Sequence, residues 1–138
     1  MRSRRSSSPR QLSAGELELI EALLGGARAR GRRFLGQLER AVVVGGSDCG
    51  CPSIELEVDG CAPVGRSTPL LFADGESPEG VSVGIILWVR GACLSGLEVH
   101  PWDGRDLVRL PDPASLSIIG ARTAPRPLAT LATVSWPR

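Results

Sequence analysis

Two apolar stretches, Val81–Val89 and Ala92–His100, are separated by only Arg90 and Gly91. A two-residue connection suits a tight antiparallel hairpin and is far too short for a crossover. The first stretch is apolar almost throughout, which places it inside a sheet rather than at its rim. Such a sheet has to bury at least one face, so another part of the chain must cover it. The residues before position 40 can do so. Ser13 precedes Glu16 by three residues, the spacing of a capping box, and Leu17, Ile20, Leu23 and Leu24 then recur at helical spacing. Gly25-Gly26 ends this first helix. A second runs from about Arg28 to Glu39, with Phe34, Leu35 and Leu38 as its apolar contacts.

From Ala41 the period shortens to that of strands. Ala41–Val44 is a β-branched run, and Ile54–Val58 alternates cleanly, with Ile54, Leu56 and Val58 on one face and Glu55, Glu57 and Asp59 on the other. The glycine-rich stretch between them predicts a hairpin with a long loop. Pro69–Ala73 suits an edge strand, Leu107–Leu110 a short extended piece, and Leu116–Ile119 a last strand or a helical turn. The fold class expected is α+β, two N-terminal helices packed on a four- to five-stranded antiparallel sheet. A length of 138 residues suits a single domain. Its expected bounds are 13–119, after a disordered basic arm at 1–12, of which Met1–Arg10 has nothing apolar beyond the initiator. Residues 120–138 are expected to be a loosely attached Pro- and Arg-containing extension with a weak strand signal at Leu128–Val134.

No apolar run approaches the ~18–20 residues that cross a bilayer, and no apolar core follows the basic start as in a secretory signal, so a cytoplasmic protein is expected. The formal net charge is +1, but it is unevenly placed. Residues 1–40 carry nine Arg against four acids, residues 41–121 four Arg against eleven acids, and the last seventeen residues three Arg and no acid. Arg28, Arg30, Arg32 and Arg33 could contact phosphate, but no interleaved aromatics stack bases and the acidic body repels a polyanion. A solvated helix face is the simpler reading, and nucleic acid is not an expected partner.

The four cysteines are Cys49, Cys51, Cys61 and Cys93. Cys49-Gly50-Cys51 lacks the two-residue spacing of a zinc knuckle or redox turn. Cys93 lies in an apolar strand, where a thiol packs as a small hydrophobe. Structural or free thiols are therefore favoured over a disulfide, and no cofactor or metal is expected. A zinc site, the alternative, would draw on Cys49, Cys51 and Cys61 with His100 or Cys93. His100 is the single histidine, and nothing around it orients an imidazole for catalysis; no nucleophile elbow, phosphate loop or zinc-protease motif is present. Trp88 is expected in the core and Trp102 near the surface. The remaining constellation is Glu55, Glu57 and Asp59, three carboxylates presented from one strand face toward a basic protein.

The segments AVVVGGSDCGCPSIELEVD, GVSVGIILWVRGACLSGLEV and LPDPASL together resemble a small uncharacterised bacterial domain family common in actinomycetes, over roughly residues 14–118. The resemblance implies no established activity. The strand ending Leu97-Glu98-Val99 is also similar to strands of immunity proteins that neutralise secreted toxins, although His100 stands where family members often carry Tyr. The function expected is a non-enzymatic, immunity-like protein-binding module using Glu55, Glu57 and Asp59. The alternative is a metal-binding or small hydrolytic protein using the Cys49–Cys51 loop and His100.

Overall fold

The computed structural model describes residues 3–47, 52–104 and 109–121. The first strand, β1 (Ser3–Gln11), leads into helices α1 (Ala14–Gly26) and α2 (Ala29–Leu35). Six more strands follow: β2 (Ala41–Ser47), β3 (Ile54–Val58), β4 (Ser67–Glu76), β5 (Ser82–Arg90), β6 (Cys93–Pro101) and β7 (Ser117–Ala121). All belong to one antiparallel sheet in the order β1-β2-β3-β6-β5-β4-β7. The α+β class holds, but seven strands replace the four or five expected.

One added strand comes from a segment without apolar periodicity, and β7 from Leu116–Ile119, which suited a strand or a helical turn. Residues 3–11, expected to be a disordered arm, pair with β2 along the sheet edge, with a register break between Arg5 and Arg10. An edge strand can be held by main-chain hydrogen bonds alone, so its side chains need not be apolar. At the other edge β7 pairs with β4, which moves Pro69–Ala73 from the expected edge into the sheet interior. β7 also carries the domain two residues past the expected boundary at 119, while Leu128–Val134 lies outside the described residues.

The capping box forms as expected: the Glu16 N–H donates to Ser13 Oγ at 3.1 Å, and the Ser13 N–H donates to the Glu16 carboxylate at 2.8 Å. Leu19, Ile20, Leu23 and Leu24 of α1 are fully buried against Val83, Ile85, Leu87, Leu97 and Val99 of the central strands. Each such side chain contributes about 1.5–3 kcal/mol of hydrophobic free energy. The second helix is shorter than expected, ending at Leu35 before a 3₁₀ turn at Leu38–Arg40, though Phe34 and Leu38 are buried as expected. Gly31 lets α2 approach α1: a Cβ there would stand 1.8 Å from the Leu24 carbonyl oxygen.

In β3 the expected alternation is present, with Ile54, Leu56 and Val58 in the core. The β5–β6 turn consists of Gly91 and Ala92, one residue later than expected. Gly91 takes φ +62°, which suits glycine at the first central position of a hairpin turn. Between β3 and β4 the sheet places β6 and β5, so residues 59–66 have to cross the ends of both. Arg90 fastens this crossing through Nε, which donates to the Gly65 carbonyl at 2.6 Å.

Candidate functional site

Both helices pack on one face of the sheet, and the side chains that alternate away from them build the other. In β5 these are Gly84, Ile86, Trp88 and Arg90; in β6, Gly96, Glu98 and His100; in β3, Glu55 and Glu57. Ile86 and Val44 are 0% and 2% exposed yet stand apart from the helix-side core. Trp88, expected in the core, belongs to this second face and is half-buried. The cause is the strand period: with Ile85, Leu87 and Val89 pointing to the helices, Trp88 must point away.

A groove of about 630 Å³ opens on this face. It exists because β3 and β6 pair only at Ile54–Leu97 and Glu55–Gly96 and then diverge. Above the contact, Ser53 Oγ accepts from the Val99 N–H at 2.9 Å and donates to the Val99 carbonyl at 3.1 Å, locking the strands together. Below it, the Gln37 side chain takes the place of a strand. Its Oε1 accepts from the Leu94 N–H at 2.9 Å, and its Nε2 donates to the Ala92 carbonyl at 2.6 Å. Leu56, Val58 and Leu94 form the floor, with Glu55, Glu57, Trp88 and Glu98 around it.

A disulfide closes the end of the groove. Cys61, on the crossing segment, is bonded to Cys93 at the start of β6, with their Cα atoms 6.0 Å apart. This corrects the expectation of free thiols. Cys93 pairs with Arg90 before the β6 bulge and so escapes the core face, while the chain from β3 to β4 must pass over it. Neither Cys61 nor Cys93 is thus available as a thiolate ligand. His100 lies seven residues along β6 from Cys93, about 23 Å at strand rise, so the structure does not bring Cys61 and His100 together. Cys49 and Cys51 lie outside the described residues. No group of three or more potential metal ligands is present among the described residues.

Glu98 is the site residue that sequence reasoning missed. The residue is 4% exposed, and its carboxylate accepts from Trp88 Nε1 at 3.2 Å and lies 3.4 Å from His100 Nδ1. Burial pushes its pKa up, but the hydrogen bond with His100, nearby positive charge and the Trp88 hydrogen bond together outweigh burial and hold the carboxyl below its ordinary range. The one available signal was a lone acid within an otherwise apolar strand, Leu97-Glu98-Val99. Beyond it, His100 packs edge-on against Trp102, with ring centres 5.8 Å apart, and Trp102 Nε1 donates to Asp74 at 3.1 Å. Trp102 is exposed, as expected.

Of the three acids expected to bind a partner, Glu55 and Glu57 line the groove, half-buried and exposed respectively. Asp59 lies past the end of β3 and outside the groove, where its carbonyl accepts from Arg40 at 2.8 Å. Arg28, just before α2, and Arg32 and Arg33 on it are exposed, and Arg30 is half-buried. No described helix is long and apolar enough to cross a membrane. Comparisons with protein-family models, curated proteins and solved structures find no match to this chain.

Proposed function

We propose that this chain is a non-enzymatic, immunity-like protein-binding module, and that its groove takes an extended, arginine-containing segment of a basic partner. The observation that carries this reading is the divergence of β3 from β6, which groups Glu55, Glu57 and Glu98 around the indole of Trp88. Guanidinium groups pair with carboxylates and stack on aromatic faces, and a rigid sheet presents both without an ordering cost. The metal-binding or hydrolytic alternative is less favoured, because Cys61 is oxidised and distant from His100. The disulfide also favours an oxidising compartment over the cytoplasm, where thiols are kept reduced.

The test is binding of a fluorescein-labelled Arg-rich peptide to the full chain. Binding that weakens with salt and is lost in Glu55→Gln/Glu57→Gln supports the reading. Equal binding of an acidic peptide, or no effect of the double substitution, rejects it.

A further inference from the structure

Resting on the reading of the groove as a site for a basic extended segment, we propose that it holds a single guanidinium subsite. This is the notch over Gly96, between the Trp88 indole and the Glu55 carboxylate, and it selects arginine over lysine at one position of the partner. The register of the sheet builds it. Glu55 on β3 pairs with Gly96 on β6, and Gly96 pairs with Trp88 on β5, so the three stand in one row across the sheet. Glu55 and Trp88 point to the face turned away from the helices, while Gly96 contributes no side chain. The acid and the indole thus rise two strand spacings apart, about 9.6 Å, with only the main chain of β6 between them in the row. Flat groups in contact lie about 3.5 Å apart, so the notch takes one guanidinium stacked on the indole with its N–H edge at Glu55.

Glu55, Trp88, Gly96 and Glu98 all line the groove. The indole wall is fixed in place, because Trp88 Nε1 donates to Glu98 at 3.2 Å and Glu98 is itself buried. Glu98, two residues along β6 from Gly96, is thus a positioning residue for the aromatic wall. The glycine keeps the notch open: a Cβ at position 96 would stand 3.2 Å from the Ile54 carbonyl oxygen and 4.0 Å from Trp88 Cβ, between the two walls. Such a site separates two cations of equal charge. A guanidinium is planar and weakly hydrated, and it can stack on an indole while its edge pairs with a carboxylate. An ammonium is a strongly hydrated point charge that gains only the attraction. Glu57 lies two residues along β3 from Glu55, outside the row, and is exposed, so it draws either cation alike.

The experiment titrates the full chain with three fluorescein-labelled peptides of equal length and charge, followed by anisotropy. One is all lysine, one all arginine, and one all lysine except for a single central arginine. The one-arginine peptide is expected to bind at least about tenfold tighter than the lysine peptide, and close to the arginine peptide. Glu55→Gln, a change at a half-buried side chain on the sheet surface, is expected to erase this preference. Glu57→Gln is expected to weaken all three peptides alike and keep it. Gly96→Ala should erase it as well; were that chain to unfold, Glu55→Gln alone decides. Equal, salt-sensitive binding of the lysine and one-arginine peptides overturns the subsite while leaving the groove's function standing. An arginine peptide far tighter than the one-arginine peptide overturns a single subsite. A preference that survives in Glu55→Gln overturns its placement over Gly96. Failure of all three peptides on the wild-type chain overturns the function and the subsite together.

Discussion

Arg10 and Glu16 form a two-pronged ion pair, with both guanidinium nitrogens 2.8 Å from the carboxylate oxygens. Burial pushes the Glu16 pKa up, but the hydrogen bonds from Arg10 and Ser13 prevail and leave it below its ordinary range. A carboxyl depressed on folding stabilises the protein above its unfolded pKa, about 4.3 for Glu, and that contribution is lost as pH falls through the folded pKa. Glu16→Gln is therefore expected to lower stability at pH 7 by about 1–2 kcal/mol, with the gap from wild type closing below pH 4 in urea titrations. Glu98 has the same sign. Gly31 presents a different constraint, since any Cβ meets the Leu24 backbone. Gly31→Ala is expected to cost about 2–3 kcal/mol in the same titrations, despite the better helix propensity of Ala. Both Ser13-x-x-Glu16 and its cap were legible in sequence because they are local. The Arg10 partner and the Gly31 contact were not, since each depends on how two segments are brought together.

At the scale of elements, the segment 59–66 matters more than its composition suggests. It spans the ends of two strands, held by the Cys61–Cys93 bond, the Arg90–Gly65 hydrogen bond and the Arg40–Asp59 hydrogen bonds, and just beyond it the hydroxyls of Ser67 and Ser95 lie 3.2 Å apart. The cysteines are 32 residues apart in sequence, a loop for which the chain-entropy model gives a stabilisation of about 3–4 kcal/mol. Cys61→Ser/Cys93→Ser is expected to lose about that much in denaturant titrations. Reducing agent should lower the wild-type midpoint and leave the double variant's response smaller. Alkylation before reduction, followed by mass analysis, should leave Cys61 and Cys93 unlabelled.

Across the whole molecule the sheet is two-sided but unequally covered: helices bury one face, and the other collects acids around an indole. This separation divides the chain's charge between fold and site. Replacing Glu55 and Glu57 by Gln should shift the melting temperature little, because carboxylates in contact with solvent add little to stability. It should instead slow association with a basic partner, most at low ionic strength, in stopped-flow measurements. A large loss of melting temperature would mean that these acids serve the fold.

Strand and helix periodicity, the capping box and the tight turn were readable along the chain because each is set by neighbours a few residues apart. They determined the α+β class, the helix-facing side of β3 and the central hairpin. Pairing partners are another matter. Residues 3–11 became an edge strand through main-chain hydrogen bonds that carry no side-chain signature, and 117–121, readable as a strand or a helical turn, became the other edge only by pairing with β4. The strand order alone brought Cys61 to Cys93 and Glu98 beside Glu55, across gaps of 32 and 43 residues. A linear pattern records which face a residue takes, but not which strand lies next to it. The groove was thus decided by tertiary structure, because it is made where two strands distant in sequence meet for two residue pairs and then part.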